Sequence, residues 1–233
     1  MSTTTQSTPK VTLYTYFRSS CSARLRIALA LKQIPYDPIY INLLKNEQSN
    51  DQNTAVNPSS TVPTLIIEDP DHPEREPVVI TQSLAALEYL DEAYSNLGPS
   101  LHPPLSNPIE RATVRTLSNI IAADTQPVTN LRILQRVAPF GADRTTWSKD
   151  LIETGLAAYE KVASKSAGKF SVGDAITIAD VCLVPAVWGA ERVGVDLSRY
   201  PTVKRIVQAL EIEECVKKAH WRGQGDTPDD LRW

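Results

Sequence analysis

The sequence predicts a two-domain α+β fold, a mixed four-stranded sheet with helices followed by an all-helical domain, and three observations predict it. Strand-like and helix-like patterns alternate as β-α-β-(loop or helix)-β-β-α over residues 11–96. A stretch at 97–108 then carries Gly98, Pro99, Pro103, Pro104 and Pro108, which is linker chemistry. Beyond it only helical patterns occur. The expected organisation is a disordered tail over 1–10, a first domain over 11–96, a linker over 97–107 and a helical domain over 108–233.

The elements follow in order. Val11-Thr12-Leu13-Tyr14-Thr15-Tyr16 is β-branched and aromatic enough for a strand, and Leu25, Ile27, Ala28, Leu29 and Leu31 mark the helix after it. Pro35 and Pro38 punctuate the chain before a second strand over Ile39–Leu43. The polar stretch 45–57 leads to a third strand at Val62–Ile67, whose Pro63 belongs at the strand's start, in a bond open to the cis form. Val78–Ile80 is the fourth strand, reached through an exposed hairpin insert at 68–77. Ser83 caps a helix to Tyr94 with Leu84, Leu87 and Leu90 along one face. The helical patterns of the second domain run over 108–124, 127–137, 145–164, 177–193 and 201–220, and Thr177-Ile178-Ala179-Asp180 reads as a capping box.

Composition narrows the function. At 233 residues the chain can bury a core of its own, and its 24 basic against 27 acidic side chains leave a net charge of −3. That balance offers no basic footprint for nucleic acid or an anionic membrane. The polar opening residues lack a signal-peptide core, and no run reaches the roughly 18 apolar residues of a membrane span, so a soluble cytoplasmic protein is expected. Three unpaired cysteines (Cys21, Cys182, Cys215) suit a reducing compartment, and three scattered histidines give no zinc motif. All 9 glycines fall at or after Gly98, so the first domain has no glycine-rich phosphate loop.

The chemistry concentrates at Ser19-Ser20-Cys21-Ser22, where a strand ends and a helix begins. Up to four unpaired amides and the positive end of the dipole favour a sulfur anion there. A thiol of pKa about 8.5 is only about 3 % ionised at pH 7, and lowering that pKa by two units takes about 2.7 kcal/mol. The helix end supplies about 0.3–1 kcal/mol and a hydroxyl donor to a charged sulfur about 1.5–3, so the hydroxyl dominates. Ser19, nearest the strand, is the first candidate donor, with Ser20 and Cys21 beside it; plain helix capping is the alternative. Cys21 is itself open to a lowered pKa, although no C-x-x-C accompanies it. Gln82-Ser83 at the next helix start suits a carboxylate or simple capping, and a cis Pro63 turns the Val62 backbone outward to meet an extended peptide. Arg192, late in the 177–193 helix, is the second-domain cation to watch, with solvation or a match to the helix C-terminus as the plain alternative.

With these residues in hand, the chain resembles the zeta class of glutathione transferases. The resemblance rests on Ser19-Ser20-Cys21-Ser22 followed by Arg24-x-Arg26-Ile27-Ala28-Leu29. Further matches are Asn57-Pro58, Val62-Pro63-Thr64-Leu65, Gln82-Ser83-Leu84, Gln126-Pro127, Asn130-Leu131, Ala179-Asp180, Ala190-Glu191-Arg192 and Asp226-Thr227-Pro228. Ala23, where the class usually has Trp, and the 68–77 insert depart from it.

The resemblance implies a thioredoxin-like first domain, a homodimer, and glutathione as cofactor. It implies that Ser19 activates the sulfur with Ser20 and Cys21 close by, and that Val62 and Pro63 meet the cysteinyl part. Gln82 and Ser83 hold the γ-glutamyl end, and Gln48, Gln126, Asn130, Leu131 and Arg132 add contacts. Arg192, with Arg18, holds an acidic substrate. The implied activity is cis–trans isomerisation of maleylacetoacetate to fumarylacetoacetate in phenylalanine and tyrosine breakdown. Transfer to α-halo acids and other small electrophiles is an alternative, and a non-catalytic glutathione-binding module is another.

Overall fold

The computed structural model describes residues 9–233. The expected tail therefore lies outside the described residues except at its end, where Lys10 already opens the first strand. The strands are β1 (Lys10–Thr15), β2 (Asp37–Tyr40), β3 (Thr64–Glu68) and β4 (Val78–Ile80), in the order β2-β1-β3-β4. Between them lie α1 (Ser20–Leu31), which makes the crossover that the parallel β1–β2 pair requires, and the short α2 (Asp51–Val56); α3 (Ser83–Ala93) follows β4. β3 runs antiparallel to both β1 and β4, with Leu13 opposite Leu65 at the centre of the sheet.

β2 lies earlier than the expected 39–43. It is an edge strand, so the missing N–H of Pro38 leaves no ladder bond unmade, while Asn42 leaves the strand to cap a 3-10 turn over Leu43–Lys45. The 69–77 insert is the exposed β3–β4 hairpin loop that its polar, proline-rich sequence suggests.

α1 is buried along nearly its whole length, Arg24 and Arg26 included, and it packs on α3. Lys32, just past its end, is also buried: Nζ lies 3.1 Å from Asp91 Oδ1 and donates to the carbonyls of Tyr94, Leu97 and Pro99. That turn passes so close to α1 that a side chain on Gly98, at φ +63°, would meet the Leu31 carbonyl oxygen at 2.7 Å.

The chain divides into two compact units. One runs to Pro99 and includes Lys218–Trp233; the other is Ser100–Lys217. The boundary near residue 99 falls inside the expected linker, whereas the final segment, expected within the helical domain, belongs to the sheet-bearing unit.

Ser100–Lys217 is helical. Its elements are α4 (Pro108–Asn119), a π-helical segment Ile120–Thr125, α5 (Gln126–Thr129), α6 (Leu131–Val137), α7 (Arg144–Ala163), α8 (Ile178–Arg192) and α9 (Pro201–Glu211), with α10 (Glu214–Ala219) reaching the boundary. The expected break before Pro127 does not occur. The Gln126 amide reaches back to Ile121, Thr125 Oγ1 donates to Ile120 O at 2.7 Å, and the wide turn carries the proline through to a break at Asn130 instead. Likewise the expected 201–220 helix is two, α9 and α10. The capping box stands as read: Asp180 accepts from the Thr177 amide and hydroxyl at 2.8 and 2.9 Å and from the Ser171 amide at 2.8 Å.

Candidate functional site

Ser19 is the N-cap of α1. Its backbone is extended (φ −70°, ψ 115°), and its Oγ accepts the Ser22 amide at 3.1 Å. That bond occupies a lone pair and leaves the hydroxyl proton to donate outward. No acidic side chain sits in the first turn, so nothing there offsets the positive helix end. Ser20 and Cys21 occupy that turn half-buried, and the Cys21 thiol is free.

The loop that carries Ser19 is tied down from two directions. The Ser19 amide donates to Tyr16 O at 3.0 Å, closing a turn over 16–19. Buried Arg26 reaches into that turn: Nη1 donates to Thr15 Oγ1 at 3.0 Å and Tyr16 O at 3.3 Å, Nη2 to Phe17 O at 3.0 Å, and Nε to Ala219 O at 3.2 Å. Burial lowers the Arg26 pKa to about 10, against the opposing pull of Tyr36, Asp226 and Tyr40. On the other side the Phe17 amide donates to Asp226 Oδ2 at 2.8 Å. Burial raises the Asp226 pKa, while the Phe17 amide and Arg26 pull it back.

The Val62–Pro63 bond is cis. Buried Asn57 shapes the preceding turn, its Nδ2 donating to Thr61 O at 3.0 Å and Thr64 Oγ1 at 3.1 Å. Among the described residues neither backbone polar group of Val62 has a hydrogen-bond partner. Gln82, exposed, is the N-cap of α3 and makes no side-chain cap bond. Ser83 is therefore the first helical residue, not the cap, and its buried hydroxyl accepts from Arg24 Nη1 at 3.0 Å. Gln48 donates to Asn46 Oδ1 at 2.7 Å through Nε2. Arg18 is half-buried with its guanidinium 5.3 Å from the centre of the Phe17 ring.

These residues fit glutathione. A hydroxyl donor and a helix end would suit a thiolate, an unpaired backbone pair the cysteinyl amide, and the start of α3 a carboxylate.

Family models for the glutathione S-transferase N-terminal and C-terminal domains match residues 18–93 and 140–219. A protein of Emericella nidulans named maleylacetoacetate isomerase is 68 % identical over 98 % of this chain and 99 % of its own. A solved maleyl pyruvate isomerase, described as a bacterial zeta-class glutathione S-transferase, superimposes with TM-score 0.84 at 35 % identity, covering 93 % of this chain and 100 % of its own. A maleylacetoacetate isomerase from Anaeromyxobacter dehalogenans, solved with dicarboxyethyl glutathione and citrate in its active site, gives TM-score 0.83 at 36 % identity over 97 % of each chain. The chain belongs to the zeta class of glutathione transferases.

In this zeta-class chain the sheet-bearing unit holds Arg18, Ser19, Ser20, Cys21, Gln48, Val62, Pro63, Gln82 and Ser83, and the helical unit holds the remaining candidates. There, half-buried Gln126 opens α5, and Asn130 caps α6 by accepting the Ile133 amide at 3.2 Å. Leu131 and exposed Arg132 follow in that helix, and Arg192 is the exposed last residue of α8.

The residues that sequence reasoning gave no role are Arg24, Arg26, Asn57 and Asp226. A signal existed for two of them. Arg24 and Arg26 stand in a helix whose other residues after Ser22 are all apolar, which turns a cation inward to whatever acceptors the fold provides. Asp226 entered only through the Asp226-Thr227-Pro228 match to the class, with no role attached, because its partner lies more than two hundred residues away in sequence.

Proposed function

We propose that the chain is a glutathione-dependent isomerase that converts maleylacetoacetate to fumarylacetoacetate. The observation that carries this reading is the Ser19 hydroxyl, which accepts the Ser22 amide and keeps its proton for an outside acceptor. The names of the Emericella and Anaeromyxobacter relatives support the substrate, and the dicarboxyethyl glutathione in the latter supports addition of a thiol to a dicarboxylic alkene.

Glutathione, when bound, supplies a thiolate that adds to the cis double bond and is eliminated after rotation about the resulting single bond. Ser19 donates to that sulfur, with Ser20, Cys21 and the α1 amides adding positive potential. Val62 and Pro63 present backbone to the cysteinyl part, and Gln82 and Ser83 orient the γ-glutamyl carboxylate. Gln48, Gln126, Asn130, Leu131 and Arg132 are assigned to the remaining tripeptide contacts, and Arg192 and Arg18 to the substrate carboxylates.

The same reading includes a homodimer and a cytoplasmic location. The exposed Val78 and Val79 on β4 support the first, and three cysteines outside any disulfide support the second. No helix among the described residues is long and apolar enough to cross a membrane.

Turnover of a maleyl substrate tests the reading. Purified protein with glutathione should isomerise maleylacetone faster than it dechlorinates dichloroacetate. The opposite order would favour a general transferase, and no turnover of either would reject catalysis.

A further inference from the structure

We propose that Asp226, in the C-terminal segment, is a positioning residue that sets the Ser19 loop, acting on Phe17 together with Arg26; this rests on the role assigned above to Ser19. Phe17 is gripped at both ends of its backbone. Its N–H donates to Asp226 Oδ2 at 2.8 Å and its carbonyl accepts from Arg26 Nη2 at 3.0 Å. The Ser19 amide hangs on the neighbouring Tyr16 carbonyl at 3.0 Å, and that carbonyl also accepts from Arg26 at 3.3 Å. One buried cation and one carboxylate thus fix three consecutive steps of backbone leading to the hydroxyl.

The clamp ties the end of the chain to its beginning. Arg26 Nε donates to Ala219 O, in the same segment as Asp226, so the guanidinium holds both walls. The segment is itself anchored: Thr227 Oγ1 donates to Trp221 O at 2.6 Å, and Gln224 Nε2 donates to His220 O at 2.8 Å. Arg232 Nε closes the turn on Thr227 O at 3.1 Å. A carboxylate fixed this firmly presents a stationary acceptor, which is what places a loop to within the few tenths of an ångström that hydrogen bonding to sulfur demands. Ser19 makes no side-chain contact with Asp226 in this arrangement; the influence passes through Phe17.

Two variants and two measurements test it. Asp226→Ala removes the acceptor, whereas Asp226→Asn keeps an oxygen for the Phe17 amide and removes the charge. Hydrogen exchange of the Phe17–Ser22 amides is followed in ligand-free protein, and the bound thiol of glutathione is titrated by its ultraviolet thiolate absorbance. Asp226→Ala should speed exchange at Phe17 and Ser19 by about tenfold and raise the thiol's titration midpoint by about one pH unit, a tenfold fall in its ionisation constant. Asp226→Asn should return both to within about threefold of the parent. A role confined to overall stability would lower the melting temperature of Asp226→Ala and leave the midpoint of the folded protein unmoved, which would overturn the proposal. An Asn variant as impaired as the Ala variant would overturn it too, since charge and not position would then matter. If the parent protein forms no thiolate with glutathione, the function assigned above fails, and the exchange arm alone decides the clamp.

Discussion

Arg24 in α1 donates through Nη1 to the hydroxyl of Ser83 at 3.0 Å, joining the second turn of α1 to the first residue of α3 with both side chains buried. The bond leaves Ser83 its own proton for a carboxylate at the start of α3. Ser83→Ala removes both the acceptor for Arg24 and that donor. We expect a loss of about 1–3 kcal/mol of stability and a rise of about tenfold in KM for glutathione, with kcat changed less than about threefold. Denaturant unfolding and steady-state kinetics check the two parts.

Lys32 and Asp91 form a pair in which the lysine side chain is 0 % exposed and the aspartate 8 %. Lys32→Ala removes the cation beside a buried carboxylate and frees three carbonyls of the 94–99 turn. The expected cost is about 3–5 kcal/mol by urea unfolding, and replacing both residues by apolar ones should recover most of it.

His220 stacks on Trp221 and Trp233 at ring-centre distances of 5.6 and 4.5 Å, and burial, with Arg222 and Arg26 nearby, lowers its pKa from 6.5 to about 4. Unfolded chain takes up a proton below pH 6.5 that the folded chain refuses until about 4, so this residue's contribution to stability falls as pH drops through that window. Asp180 and Asp226, whose pKa values burial raises, work in the opposite direction on acidification. Comparison with His220→Asn, which retains an acceptor for the Arg222 amide, isolates the histidine. The parent should lose about 1 kcal/mol more than the variant between those pH values, after allowance for solvent screening of a half-buried ring, in calorimetric melts.

Much of this was legible in the sequence. Periodicity placed β1, β3, β4, α1 and α3 to within one or two residues, and the 16–22 junction exposed Ser19 because strand end, hydroxyl and helix start are all local signals. Two of the misplacements turn on backbone satisfaction that simple proline rules do not foresee. Pro38 sits in β2 because an edge tolerates it, and Pro127 continues a helix because a π turn absorbs it. Ser83 looked like a cap because Ser usually is one; only the fold brings Arg24 to its hydroxyl. The clamp on Phe17 was invisible for the same reason, being built from residues at opposite ends of the chain.

Ser19→Ala should cost about 0.5–2 kcal/mol of stability as a lost cap. Its larger effect falls on the ligand. Titration of glutathione bound to the parent protein and to Ser19→Ala, read by thiolate absorbance, tests the central claim most directly. We expect the parent complex to titrate about two units below free glutathione and the variant to lose about 1–2 units of that shift, matching the 1.5–3 kcal/mol of a hydroxyl bond to a charged sulfur. A parent complex that titrates with free glutathione, or a variant that titrates with the parent, would contradict the account.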